Sequence, residues 1–208
     1  MTVRLIAHTP NPDHVCALAA GICYNAKDST KSLAHALESG HDSVAEHASF
    51  TFLIEGVSRV LLAQLTRHRI ASFSVQSQRY CGAVFKTVLP EKMVEAGLSE
   101  ECLELHGMAR NLYDEAIKRG VPAEDARYFT LQGGHTKIVM TMNARELRHF
   151  FSLRCCNRAQ WEIRQLADEM LALCKEKAPM LFADAGPGCV RGRCPEKRPC
   201  GRPVGGKA

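Results

Sequence analysis

Apolar positions recur along this chain with two different periods, and the switch between them marks out its elements. Val3–Ala7 has the make-up of a short strand, and Pro12–Tyr24 that of a helix. A second helix is predicted over Ser32–Glu38, with Gly40 as its stop. Ser43 and Glu46 stand three apart, as in a capping box, just before Ser49–Ile54. The first four residues of that segment alternate like a half-buried strand, which Gly56 is expected to break. Val57–Thr66 reads as a helix rich in Val and Leu, followed by a polar stretch to Tyr80. Leu98–Lys118 is the clearest amphipathic helix: Cys102, Leu105, Met108, Ala109, Leu112 and Ala116 recur at three and four, and Gly120 ends it. Pro122 opens a further helix. Gly133-Gly134 precedes a strand over Thr136–Thr141. Asn143-Ala144-Arg145-Glu146 is a cap-like helix start, with Leu147, Phe150 and Phe151 as its apolar side. Ile163, Leu166, Ala167, Met170 and Cys174 define one more helix. Residues 186–208 hold Gly, Pro, basic side chains and three Cys, and read as a tail with little regular structure, appended to a domain over 1–185.

Composition narrows the class. In 208 residues, 46% are hydrophobic, enough for one core and against disorder. No apolar run approaches the roughly 18 residues of a membrane span. The start of the chain lacks a basic-then-apolar signal pattern, so a cytoplasmic protein is expected. Ten Cys without an export signal read as reduced thiols. The formal charge of +5 favours an anionic partner without choosing between a phosphate-bearing small molecule and nucleic acid.

Four clusters could carry chemistry. Gln64–Tyr80 contains Arg67, His68, Arg69 and Arg79 with Ser72, Ser74 and Ser77. Arg suits bidentate recognition of phosphate, and the hydroxyls can donate to its oxygens. A solvated basic face is the plainer reading. In the second cluster, Arg145 and His149 share a helical face, and Arg154 is either a helix-end charge or a ligand for something buried. Asn143 reads equally as a cap or as a ligand-binding side chain. His41, Glu46 and His47 are metal-type ligands, but neighbours one apart do not face one point, so no metal is expected there. Cys189, Cys194 and Cys200 could hold zinc with a fourth ligand from elsewhere, though free thiols on a loose tail fit the spacing better. No Rossmann or P-loop fingerprint occurs.

Arg67-His68-Arg69, then seven residues, then Ser77-x-Arg79 resembles the R-H-R-x7-S-x-R signature of flavin-dependent thymidylate synthases. Gln64, His41-x-Ser43-x-x-Glu46-His47, Arg127, Asn143-x-Arg145, Phe150, Leu153-Arg154 and Ala159-Gln160-Trp161-Glu162 extend the match in order over about residues 1–185. The resemblance implies a single α+β domain with helices on a mainly antiparallel sheet. It implies methylation of dUMP to dTMP, with 5,10-methylenetetrahydrofolate as carbon donor and NADPH reducing a bound FAD, in a homotetramer with shared active sites. Gln64, Arg67, Gln76, Ser77, Gln78, Arg79, Arg127 and Arg154 would hold dUMP. Ser43, Arg67, His68, Arg69, Val75 (through its backbone), Asn143, Arg145 and His149 would line FAD. Arg154 and His68 would be catalytic: Arg154 beside the uracil, favouring its ionised N3, and His68 near the approach of folate and nicotinamide. Ser77 would bind and not attack, since the family activates uracil without a covalent bond to the enzyme. His149, Val75 and Cys23 depart from residues that some members carry. Two rival readings are a nucleic-acid-binding protein, weakened because only Phe73 and Tyr80 supply aromatics in the Arg cluster, and a zinc-binding interaction module on the tail.

Overall fold

The computed structural model describes residues 1–26, 28–83, 86–192 and 194–204, without the side chain of Tyr24. Of the tail, residues 193 and 205–208 thus lie outside the described residues. Four strands form one antiparallel sheet in the order β1-β2-β4-β3: β1 Thr2–His8, β2 Ser49–Ser58, β3 Ala71–Val75 and β4 His135–Asn143. Eight α-helices accompany it among the described residues: α1 Pro12–Tyr24, α2 Ser29–Glu38, α3 Arg59–Leu65, α4 Glu91–Glu95, α5 Ser99–Lys118, α6 Ala123–Ala126, α7 Ala144–Arg154 and α8 Trp161–Lys177. The fold is α+β, as expected. No helix among the described residues is long and apolar enough to cross a membrane.

The chain divides into two compact units. One comprises residues 1–2, 54–67 and 74–139, and the other 3–53, 68–73 and 140–208. Strands β2 and β4 run on from one unit into the other. In the second unit Phe50, Phe150, Phe151 and Phe182 pack edge to face, with ring centroids 5.4–5.9 Å apart. Leu33, Met140, Met142, Ile163, Leu166 and Met170 are fully or almost fully buried in the same unit. The first unit buries Ile54, Val57, Leu61, Leu65 and Ile138.

Several expectations are corrected. Gly56 does not end its strand. It takes φ +68°, a left-handed conformation that only glycine adopts at little cost, and β2 continues to Ser58. Ser58 then caps α3, its hydroxyl accepting from the Leu61 N–H at 3.0 Å, so that helix starts at Arg59 and not at Val57. Residues 42–47 form a 3-10 turn beginning at Asp42, with no side-chain cap. The Ser43–Glu46 capping box is therefore not formed. The polar stretch hides β3, where Ala71, Phe73 and Val75 are half-buried and Ser72 and Ser74 face out. Helix α5 exists as predicted, but its apolar stripe is not a core stripe. Of that stripe, Leu105, Met108 and Leu112 are all more than half exposed, and Tyr113 is the helix's one buried residue.

Candidate functional site

Helix α7 organises the second unit's site. Asn143 caps it, its Oδ1 accepting from the Glu146 N–H at 2.9 Å. The helical repeat then puts Arg145 and His149 on one face. Both line a cleft of about 930 Å³ together with Asn143, Glu146, Arg148, Asp42, Glu46 and Asp184. That is the size of a cofactor cleft, and its walls are charged on both sides. Arg145 pairs with Glu46, and this carboxylate holds the guanidinium above its ordinary pKa. Arg148 is buried and forks onto Asp184, with Nη1–Oδ1 at 2.7 Å and Nη2–Oδ2 at 3.3 Å. It also donates to the Leu181 carbonyl at 2.6 Å. Burial works to raise the Asp184 carboxyl, but the Arg148 pair prevails and holds it below the carboxylate range. Asp42 Oδ1 is buried without a hydrogen bond, since the nearest Arg148 nitrogen lies 3.6 Å away. An unsatisfied acceptor in the wall of a cleft calls for a donor from a ligand.

Beneath this face runs a chain of three side chains. His68 is 5% exposed. Its Nδ1 meets Glu146 Oε1 at 3.2 Å, and Arg154 Nε, at the last residue of α7, donates to His68 Nε2 at 3.2 Å. A guanidinium can only donate, so Nε2 must be the unprotonated nitrogen, and the ring proton sits on Nδ1, donated to Glu146. Burial lowers the pKa of His68. The Glu146 bond raises it, the Arg154 and His149 charges lower it, and the net direction is down. His68 is thus neutral at neutral pH. Its ring also packs edge to face on Phe150, at 4.9 Å, and on His149, at 6.0 Å.

The first unit holds a separate polar pocket of about 360 Å³, lined by Arg59, Gln78, Arg127, Tyr128 and Thr130. Burial lowers the pKa of Arg59, and the charge of Arg127 lowers it further. Arg59 Nε is buried without a hydrogen bond. Two guanidiniums close enough to repel, one with an idle buried donor, make an anion site. Gln78 Nε2 approaches Thr130 Oγ1 at 3.5 Å. Gln76 has its N–H on the Lys137 carbonyl at 3.0 Å and its own Oε1 buried without a partner. Ser77 Oγ accepts from the Arg79 N–H at 3.1 Å and so closes a local turn. The Arg79 guanidinium sits on Glu124 at 2.7 Å.

The residues expected at the site thus fall into groups. Asn143, Arg145 and His149 come together in the cleft, and His68 and Arg154 come together beneath it. Gln78 and Arg127 share the anion pocket, with Ser77 and Arg79 in its unit. Of the residues expected around dUMP, Arg154 alone belongs to the second unit. Ser43, Arg67 and Arg69 are exposed, and Val75 is half-buried on β3. Gln64 Nε2 donates to the Val60 carbonyl at 3.4 Å. Cys23 is exposed on α1. Sequence reasoning missed Arg59, Asp42, Arg148 and Glu146. Only Glu146 carried a signal, its place three residues after a capping Asn.

A family profile described as "Thymidylate synthase complementing protein" matches residues 4–180. The flavin-dependent thymidylate synthase of Geobacter sulfurreducens is 50% identical over 212 residues, covering 94% of this chain and 91% of its own. Those of Nitratidesulfovibrio vulgaris and Pyrococcus furiosus are 46% and 43% identical, each covering over 90% of this chain. Among solved structures, a UMP/dUMP methylase, PolB from Streptomyces cacaoi, shares the fold with a TM-score of 0.77 at 24% identity, over 88% of this chain and 93% of that one. With the R-H-R histidine locked between α7's Arg154 and Glu146, and with relatives matching nearly end to end, this chain belongs to the flavin-dependent thymidylate synthase family.

Proposed function

We propose that the chain methylates dUMP to dTMP, with FAD in the α7 cleft and with NADPH and 5,10-methylenetetrahydrofolate as co-substrates in the cytoplasm. The observation that carries this reading is the Glu146–His68–Arg154 chain. It turns the family's central histidine into a device for aiming one cation.

The cleft fits FAD in size and donor set. Asn143, Arg145 and His149 offer donors to it, and Asp42 Oδ1 offers an acceptor for a hydroxyl. FAD, when bound, supplies the hydride that completes the new methyl group. The chain's own work is binding, orientation and charge. Arg59 and Arg127 clamp the dUMP phosphate, with Gln78 beside them and Gln64, Arg67, Gln76 and Arg79 around the nucleotide. Ser77 Oγ accepts from the Arg79 N–H and has no hydrogen bond to a base among the described residues, which supports a binding role over attack. Arg154 faces the uracil, where a fixed cation favours negative charge at N3 and makes C5 the better nucleophile. His68 has both ring nitrogens occupied and is buried, so it positions Arg154 and does not itself meet substrate. Ser43, Arg67, Arg69 and Val75 complete the FAD surroundings through exposed side chains or backbone. Residues 1–185 act as the catalytic domain, and each active site draws on more than one copy of a homotetramer. The exposed apolar stripe of α5 supports that assembly.

The test is Arg154→Ala. Loss of one charged contact made to the reacting ring is expected to cut kcat by about 100-fold or more, with FAD still bound. Turnover within threefold of wild type, at saturating dUMP, would sink the assignment.

A further inference from the structure

The tail does not hang loose. Residues 188–192 and 194–204 lie over the turn that follows α7. Asn157 Nδ2 donates to the Arg202 carbonyl and Arg158 to the Arg198 carbonyl, each at 2.5 Å, and Arg158 stands 3.8 Å from Glu196. The sequence left three tail thiols short of a fourth ligand. The turn supplies it: Cys156 lines one cleft of about 640 Å³ together with Cys189, Cys194 and Cys200. All four are free thiols of intermediate exposure, unlike Cys16, Cys155 and Cys174, which are buried core residues.

Two of the four sulfurs already accept backbone amides. Cys200 Sγ takes the N–H of Arg202 and Cys189 Sγ that of Val204, each at 3.4 Å, and the Cys200 thiol also donates to the Arg202 carbonyl at 3.4 Å, a contact that deprotonation by the metal would release. The first contact depends on Gly201, whose φ of +69° folds the following amide back onto the preceding sulfur. A neutral thiol gains little from such donors. A thiolate gains much, and metal-bound sulfurs are oriented and stabilised this way. Arg158, Arg202 and Glu196 line the same cleft, and their surplus of one positive charge offsets part of the net charge of −2 that four thiolates and a divalent ion carry.

We propose that Cys156, Cys189, Cys194 and Cys200 bind one zinc ion as a tetrathiolate. Four thiols release four protons as the ion binds, and no oxidant or reductant is involved. Among the described residues no three such side chains yet converge on one point. The metal closes that gap by drawing in a segment whose regular structure is a single 3-10 turn, Gly188–Arg191. The four sulfurs fill the tetrahedral preference of zinc and leave no open position, which makes the site structural. Its consequence is positional: Cys156 lies two residues beyond Arg154, so the ion ties the end of α7 to the chain's C-terminal segment.

The experiment is metal analysis of the full-length holoenzyme, purified without an affinity tag under reducing conditions. Plasma mass spectrometry is expected to give one zinc per chain. Cys156→Ser and Cys194→Ser are each expected to bring zinc to background with FAD content and far-UV circular dichroism retained, and Cys102→Ser on α5 to leave it at one. Should the Ser variants fold poorly, mercurial titration of the wild type is expected to release one zinc as four thiols react. Zinc at background in wild type after reconstitution would overturn the proposal. So would iron in place of zinc, an intact mass lowered by disulfide formation, or zinc retained in Cys156→Ser. The zinc, mass and thiol readouts depend neither on turnover nor on the flavin assignment.

Discussion

The neutral, buried His68 makes a quantitative claim about pH. Its folded pKa lies below the ordinary histidine value, first because of burial, with Glu146 opposing and Arg154 and His149 adding to the depression. A depressed folded pKa means that the unfolded chain takes up the proton first. The stability contributed by the neutral ring is therefore fully present above pH ~6.5 and is lost as pH falls from there toward the folded pKa. An unfolded histidine titrating at ~6.5 gains about 1.4 kcal/mol by protonation at pH 5.5 and under 0.1 kcal/mol at pH 7.5. That increment is the most that wild type can lose at this site over the interval, apart from what the other histidines contribute.

His68→Gln isolates the increment. A glutamine amide can accept from Arg154 and donate to Glu146, so it keeps both bonds without titrating. The variant retains every other histidine. Wild type should therefore lose more stability than His68→Gln between pH 7.5 and 5.5, with a ceiling of about 1.4 kcal/mol, read as an extra fall of at most about 3–5 °C in Tm for a chain of this length. Thermal unfolding at fixed protein and FAD concentration measures it. Long-range 1H–15N spectra of the histidine ring test the cause directly, and should show the Nδ1–H tautomer at pH 7.5. A proton on Nε2, a ring still charged at pH 7, or equal pH dependence in the two proteins would refute the reasoning.

Arg59→Ala should raise the Kd for dUMP by about 10–100-fold, the worth of one charged hydrogen bond, and leave deoxyuridine binding unchanged; calorimetry showing equal losses for both would remove the phosphate assignment. Arg148→Met strands the Leu181 carbonyl and the Asp42 carboxylate and leaves Asp184 to Arg191 at 3.7 Å, and with the half-exposed Asp184 discounted it should cost about 2–4 kcal/mol and lower Tm by about 5–12 °C; a change under about 1 kcal/mol would show that the buried fork contributes little.

Much of the fold was legible because burial and period agreed. Helix α1 begins and ends where the sequence placed it, and α7 starts at the residue after its predicted cap. Misreadings arose where one residue type admits two uses. Gly56 stops a strand in one conformation and prolongs it in another, and only the positive φ decides. Ser43 and Glu46 have capping-box spacing, yet the opposite charge of Arg145, 99 positions away, takes Glu46 instead. Helix α5 shows the limit of periodicity itself. An apolar stripe says that a face avoids water, and it does not say whether the cover comes from the same chain.

The candidate site divides along the same line. Residues within one turn of helix, such as Arg145 and His149, could be paired from spacing alone. Arg154 and His68 are 86 positions apart, and what joins them is the neutrality of an imidazole held by a carboxylate from the same helix as the arginine. That logic runs one way. A charged His68 could not accept from Arg154, and without Glu146 nothing would fix the free nitrogen toward it. The motif's histidine therefore draws its meaning from α7, and the pair should fail together. A Glu146→Leu variant, which loses the acceptor, is expected to let the ring turn over, break the His68–Arg154 contact and lower kcat about as far as Arg154→Ala does, with no further loss in the double variant. Additive losses, measured as kcat at saturating dUMP, would mean that His68 and Arg154 act separately.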